Sequence, residues 1–588
     1  MSAKKWILLG LIGLCSCAGI QGRTSEPKKP VLAVSQSLEA RALSEASGTG
    51  YAIATQGPGS TSAAKSIFEQ GGNAIDAAVA ASFAISVERP FSTGLGGGGF
   101  LLYQEAKTHK VFAIDFRERA PLKATEKMYL DEKGEVIPRK SLDGIFAVAT
   151  PGLTAGLVAV HKRFGRLPLA TVMKPAITLA RDGFTVYPSL AKRFDNKKET
   201  LAKFPSTAKV FLKPDGSVYK AGDVLKQPEL ALTLEAIAKK GRAGFYKGSV
   251  ARDIVAQSKS MGGLLTQQDL DSYQVKWREP VRGSFRGLEI VSMPPPSSGG
   301  VHIIEMLNTL SHARLAESGV HSTQSVHATA AAMQMAFADR AKYLGDPDFV
   351  QVPVKELTSA EYGKRQWERI LPDRARKSSE VAPGLGEYKP ESLETTHISI
   401  LDKDGNAVAT TQTINGWFGS SVVAAGTGVL LNNEMDDFSA KPGAPNMFGA
   451  LGDKANAIAP HKTPLSSMSP TIVRRDGKPV FVVGAPGGTF IITCVLNTIL
   501  NYFEYGLPLY DSVAAVRFHH QWSPDEITID GPGFGAGTQA ELEALGYKLD
   551  VEPDAVGCRV MAIAREKDGK LHAVSEPREE ISRAAAGP

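Results

Sequence analysis

Between Gly48 and Val87 the chain reads as a short apolar run, an amphipathic stretch, and a stretch that is apolar on every side. Tyr51 to Thr55 predicts a strand, Ser62 to Gln70 a helix, and Asn73 to Val87 a second helix. That second helix is rich in Ala and Val on every side, which predicts burial on most sides. Pro90 and the run Gly94 to Gly99 end it. Because Phe100-Leu101-Leu102-Tyr103 then leads into a strand, with no helix N-terminus following, the glycine run reads as a tight, close-packed turn and not as a phosphate site. From about Pro151 to Ala382 the pattern is mostly that of amphipathic helices, broken at Pro294-Pro295-Pro296-Ser297-Ser298-Gly299-Gly300. A polar, Pro/Gly-rich stretch from Arg374 to Glu394 precedes a change to alternation and dense turns, so a boundary falls immediately before Thr395. No internal repeat is visible.

Thr395 to Leu401 alternates polar and apolar, Asp402 to Asn406 holds an Asp-Gly turn signal, and Ala407 to Asn415 alternates again, which predicts a β-hairpin. With the turn centred on Asp404 and no bulge, Thr395 lies directly opposite Thr413. A threonine at a strand head is ordinarily a β-branched strand former and nothing more. A cut before Thr395 changes its chemistry. The residue would then carry both a hydroxyl nucleophile and a free α-amine of pKa about 7.7–8.0 able to act as its base. Thr413 is placed to orient that amine.

Downstream lie Leu430 to Phe438 with its acidic residues, Pro464 to Pro470 with paired serines, and Val483 to Thr489 with paired glycines. Each alone is ordinary loop chemistry. Together they offer acceptors for an ammonium, donors for a carboxylate, and bare backbone N–H groups able to approach an oxyanion.

Composition adds limits. The 588 residues carry a net charge of +6, 43% hydrophobic and 22% charged residues, the profile of a globular enzyme. The positive charge forms no block or aromatic-interleaved stripe, so nucleic acid is excluded as a partner. Lys4 and Lys5, the apolar run Trp6 to Leu14 and the small residues after it predict a signal peptide over residues 1–18, too short to span a bilayer. Leu14-Cys15-Ser16-Cys17 also fits a lipobox, so lipidation of Cys17 and simple cleavage near Ala18 both stay open. Either way the protein is expected to be exported, to the periplasm, with a lipid anchor only through Cys17. Cys494 and Cys558 read as small core residues, and two thiols make no framework.

Three other patterns are weak. Ser62-Ala63-Ala64-Lys65 fits the S-x-x-K of penicillin-recognising enzymes, but Lys462-Thr463-Pro464 cannot supply the K-T-G those enzymes need, so Ser62 and Lys65 read as one turn of helix. Gly59 to Ser66 nearly spells a P-loop, with Ala64 in place of the required Gly. His519 and His520 lack a third ligand at metal spacing and read as structural.

Long motifs in order, from Gly71-Gly72-Asn73-Ala74-Ile75-Asp76-Ala77-Ala78 and Ser92 to Phe100 through Arg517-Phe518-His519-His520-Gln521-Trp522, closely resemble the γ-glutamyltranspeptidase (glutathione hydrolase) family of N-terminal nucleophile hydrolases. The resemblance covers nearly the whole mature chain. It implies a layered α/β fold, a four-layer αββα sandwich. It further implies self-cleavage between Glu394 and Thr395 into a large subunit, 19–394, and a small subunit, 395–588, that stay together as a heterodimer. Thr395 matches the nucleophile, Thr413 its supporting hydroxyl, and Gly487 and Gly488 the oxyanion hole. Arg117, with Ser466 and Ser467, matches the grip on the substrate α-carboxylate, a task that suits the forked guanidinium. Asn415, Glu434 and Asp437 match the α-amino pocket, and Glu434 stands where the family uses Gln or Glu. The implied substrates are glutathione and other γ-glutamyl compounds, with amino acids or peptides as acceptors and no metal or organic cofactor. A lid is implied over Pro442 to Pro460, where Phe448 replaces a tyrosine whose hydroxyl could latch it. Two other readings are an acylase removing a glutaryl or similar group from a β-lactam amide with the same nucleophile, and an uncleaved binding protein. Against the acylase stands the cost of leaving Asp437 and Glu434 buried and unpaired when the substrate has no ammonium.

Overall fold

The computed structural model describes residues 30–33, 38–382, 395–441, 446–447, 452–553 and 557–588. The expectations for residues 1–18, Cys17, Glu394 and Phe448 lie outside them.

Alternation along the strands decides the architecture. In Tyr51–Thr55, Tyr51 and Ile53 join one apolar core while Ala52 and Ala54 join another. Leu101 and Tyr103 part from Phe100 and Leu102 in the same way. A strand buried on both faces belongs to a sheet covered on both sides. That sheet has seven antiparallel strands in the order Arg583–Gly587, Tyr51–Thr55, Thr396–Asp402, Ala407–Thr413, Gly98–Gln104, Val111–Asp115, Lys276–Arg278. One face meets helices Pro58–Glu69, Ala74–Glu88, Leu153–Phe164 and Leu169–Asp182. The other, lined by small residues such as Ala52, Ala54, Ala407 and Ala409, meets a second sheet.

The second sheet also has seven antiparallel strands: Glu45–Gly48, Leu571–Ser575, Met561–Arg565, Lys478–Gly484, Thr471–Arg475, Leu288–Ser292 and Val281–Phe285. Its far side is covered by helices Gly299–Leu310, Thr323–Tyr343 and Phe490–Ile499. Helix, sheet, sheet, helix is the expected four-layer αββα sandwich. Segments from both sides of residue 395 pair within each sheet and contribute to both cores.

The all-apolar helix runs Ala74–Glu88, every residue buried, and its capping box joins Asn73 and Asp76. In the glycine turn, a Cβ on Gly97 would collide with the Thr413 carbonyl oxygen, so the small residues let this loop touch the hairpin. Ser62 and Lys65 are exposed, with Lys65 3.8 Å from Glu69 one turn on. His519 is buried and hydrogen-bonded to Thr493 and Gln521, a structural position.

Two expectations need correction. The mostly helical middle also contributes strands Lys276–Arg278, Val281–Phe285 and Leu288–Ser292. At three to five residues each, they are too short for alternation to stand out, and sheet pairing decides them. Cys494 and Cys558 are core residues, 0% exposed, but they form a disulfide across 64 residues of chain. The helix bearing Cys494 passes under the loop bearing Cys558, a meeting that neither local pattern encodes.

Candidate active site

Thr395 immediately precedes the strand Thr396–Asp402, third of seven in its sheet. The hairpin register pairs Thr396 with Gln412 and His397 with Thr411 and continues without a bulge to Leu401 and Ala407. The next pair outward is Thr395 and Thr413, as the turn count predicts. Gln56 fixes this end of the strand, its Oε1 accepting from Thr396 Oγ1 at 2.7 Å and from His397 N at 3.2 Å. On the neighbouring strand Thr413 Oγ1 accepts the Asn415 N–H at 2.8 Å, which holds the hydroxyl at the strand end. Asn415 turns the chain there with φ +74°, a conformation Asn tolerates better than most residues. Its side chain donates to the Asn433 carbonyl at 3.1 Å.

A cleft opens beside Thr395. It is lined by Thr413, Asn415, Arg117, Glu434, Asp437, Ser466, Ser467 and Gly488, and also by Arg340 and Asn446. Nine of the ten residues named from the sequence therefore line one cavity. The tenth, Gly487, lies one residue behind Gly488. At φ +134° it has no room for a side chain, because a Cβ there would come within 2.7 Å of Cys558 Cβ. The disulfide loop thus backs the turn that presents the Gly488 amide.

The far end of the cleft is charged. Arg117, 2% exposed, places Nη1 2.5 Å from Glu434 Oε1 and Nη2 2.5 Å from Asp437 Oδ2, with Glu118 Oε2 at 3.7 Å. Asn446 donates to the other Asp437 oxygen at 3.3 Å. Burial opposes charge on all these groups. It pushes the Glu434 carboxyl well above the usual range, Arg117 opposing and Glu118 and Asp437 adding repulsion. Burial likewise raises Asp437, and takes Glu118 up to about 7 despite the attraction of Arg117. Burial pulls Arg117 down, but its three carboxylate neighbours outweigh that and hold it above its ordinary value. Arg117 and the two acidic residues were expected to bind opposite ends of a ligand. Here they bind one another.

The paired serines sit on a loop clamped by the Pro/Gly break of the middle region. Ser466 N donates to the Pro296 carbonyl at 2.9 Å, and Ser298 N and Oγ both donate to the Ser466 carbonyl at 2.8 Å. Met468 N donates to Ser466 Oγ at 3.1 Å. Arg340, Glu118 and Asn446 are site residues that sequence reasoning missed. Glu118 could have been suspected from its place beside Arg117. Arg340 lies in the last turn of a long helix, where a basic residue is ordinary, so it gives no local signal.

The gamma-glutamyltranspeptidase family profile matches residues 60–586. The glutathione hydrolase proenzyme of Escherichia coli (strain K12) is 46% identical over 514 residues, covering 87% of each chain. Among solved structures, a cephalosporin acylase from Bacillus halodurans superposes with a TM-score of 0.81 at 27% identity, covering 92% of this chain and 96% of that one. The gamma-glutamyltranspeptidase of Helicobacter pylori is 41% identical with a TM-score of 0.55, covering 61% of this chain and 97% of that one.

Proposed function

The chain belongs to the gamma-glutamyltranspeptidase family, and we infer that it is a γ-glutamyl hydrolase and transferase acting through Thr395. The observation that carries this reading is the composition of one cleft. A hydroxyl nucleophile at a strand head shares it with a guanidinium, two carboxylates and paired serines. A γ-glutamyl head is a zwitterion, so it can replace the Arg117 pairing with Glu434 and Asp437 by one pair at each end. Its carboxylate goes to Arg117, Ser466 and Ser467, and its ammonium to Asp437, Glu434 and Asn415. Net charge is conserved in that exchange, which keeps its cost low in a buried site.

In the precursor, Thr395 Oγ attacks the Glu394 carbonyl, an N→O acyl shift gives an ester, and water releases the large subunit's new C-terminus. The "proenzyme" name of the E. coli relative supports such a step. The shared sheet explains how the pieces stay together, since Tyr51–Thr55 pairs with Thr396–Asp402 and Gly98–Gln104 with Ala407–Thr413. In the mature enzyme the Thr395 α-amine, directly or through a water, takes the Oγ proton as Oγ attacks the γ-carbonyl. The Gly487 and Gly488 N–H groups, at the start of the helix Phe490–Ile499, receive the oxyanion. The leaving amine departs with the proton, and water or an acceptor amine resolves the γ-glutamyl-threonine ester. The Cys494–Cys558 disulfide supports export to an oxidising compartment, and residues 1–18 read as the signal for it.

Intact-mass analysis with N-terminal sequencing tests this. The small chain should begin at Thr395, and Thr395→Ala should stay whole and inactive. Full γ-glutamyl hydrolase activity in homogeneous uncleaved protein would defeat the mechanism. The acylase reading is disfavoured by the same cluster: a glutaryl carboxylate drawn to Arg117 would take it from Glu434 and Asp437 and bring no ammonium in exchange. A glutaryl anilide turned over faster than its γ-glutamyl counterpart would establish it.

A further inference from the structure

We propose that Arg340 is a positioning residue for substrate recognition, which turns the Ser467 hydroxyl hydrogen toward the α-carboxylate and ties the serine loop to Ser298. The proposal rests on the γ-glutamyl reading above and assigns a task to a residue outside it. Arg340 lies in helix Thr323–Tyr343, is 6% exposed and lines the cleft. Its Nη2 donates to Ser467 Oγ and its Nε to Ser298 Oγ, each at 3.0 Å.

A serine hydroxyl has one hydrogen and two acceptor sites, whereas a guanidinium only donates. With Arg340 occupying an acceptor site of Ser467 Oγ, that hydroxyl cannot spend its hydrogen on Arg340. The hydrogen is left for an acceptor in the cleft. The same logic holds for Ser466, whose Oγ accepts from Met468 N. Both serines are thereby prepared as donors, which is what an incoming carboxylate requires.

Ser298 supplies the second observation. It occupies the N-cap of helix Gly299–Leu310, where a serine side chain usually caps its own helix, yet it makes no such bond. Its hydroxyl instead accepts from Arg340 and donates to the Ser466 carbonyl at 2.8 Å. Ser297 Oγ donates to the Met468 carbonyl at 2.6 Å. Ser297 Oγ accepts the Gly299 N–H at 3.2 Å at this helix start, which leaves the Ser298 hydroxyl to link Arg340 to the serine loop. Burial pulls the guanidinium down to about 10, with Asp437 opposing, so it stays cationic at neutral pH. A lysine has no planar fork and cannot span both hydroxyls in the same geometry.

The test compares γ-glutamyl p-nitroanilide with 4-aminobutanoyl p-nitroanilide, which keeps the ammonium and lacks the α-carboxylate, using only self-cleaved protein. The native enzyme should prefer the first by roughly 10–150-fold in kcat/KM, the range of a charged hydrogen bond. Arg340→Lys should raise KM for the first substrate by about tenfold or more with kcat little changed, and leave the second unaffected. In a Ser467→Ala background, Arg340→Lys should cost little further, because both changes remove one interaction. Equal losses on both substrates, no change in preference, or additive losses with Ser467→Ala would overturn the proposal. If the native enzyme shows no preference for the carboxylate-bearing substrate, the γ-glutamyl reading itself falls, and this proposal with it. Should Arg340→Lys fail to self-cleave, Ser298→Ala removes the other anchor and faces the same comparison, with the same outcomes deciding.

Discussion

The two ends of the cleft are built on opposite principles. At the reaction end stand two threonines and backbone amides, all without charge on the side chains, set by a hairpin register and a turn. At the recognition end Arg117, Glu118, Glu434 and Asp437 crowd together with Arg340 close by, all buried. Position is what the first end must hold, since a displaced hydroxyl or amide loses the reacting geometry. The second must hold charge out of water and still release it to a ligand. Its opposite charges are paired with one another, an arrangement that the proposed zwitterionic head would exchange for one pair at each end.

This contrast predicts that damage at the reaction end appears in turnover and damage at the recognition end in substrate preference. The largest effect below full loss is expected for Thr413→Val, which keeps the β-branched shape and removes the hydroxyl. It should lower kcat by a measurable part of the ~10²–10⁴-fold that general-base assistance supplies, while Thr413→Ser retains more. Kinetics of the two variants on a γ-glutamyl anilide decide the matter, and equal activity would return Thr413 to a plain strand residue.

Asp437→Asn comes next. It should weaken γ-glutamyl substrates by roughly 10–150-fold and glutaryl analogues far less, because only the former bring an ammonium. Equal losses would mean that Asp437 serves by holding Arg117, and the division of labour at the recognition end would need redrawing.

Replacing both Cys494 and Cys558 with Ala opens a loop of 64 residues, and by chain entropy should cost about 4 kcal/mol of stability. Because Cys558 backs Gly487, any kinetic loss should fall on kcat and not on KM. Thermal unfolding and steady-state kinetics on the same preparation read both.

The smallest effect concerns pH. Burial takes Glu118 up to about 7, so the folded state holds its proton more tightly than the unfolded chain does. The stability this group contributes is present at pH about 4 and is lost as pH rises through about 7. Glu118→Gln removes that dependence, so the difference in melting temperature between variant and native protein should shift in the variant's favour from pH 5 to pH 8. A difference independent of pH would show that Glu118 keeps one charge state throughout.

Legibility in the sequence followed distance along the chain. The hairpin register was readable because a turn and two alternating strands lie within twenty residues, and the buried helix because its own composition leaves it no polar face. The acidic residues and the serine and glycine pairs were readable as acceptors and donors from their chemistry, but the particular roles of Arg117, Asn415, Glu434, Asp437 and those pairs came only through resemblance to a family. No periodicity points to them.

The sequence by itself determined the strands and helices that carry their own pattern, the turn that sets Thr395 against Thr413, and the family. Tertiary structure alone decided that Cys494 meets Cys558, that three short segments of the middle region become sheet strands, that Arg117 pairs with Glu434 and Asp437, and that Arg340 reaches Ser467. The physical reason is range. Turn and alternation rules act between neighbours. A salt bridge, a disulfide or a guanidinium between two hydroxyls depends on where the chain returns after tens or hundreds of residues, and that is set by the packing of all four layers at once.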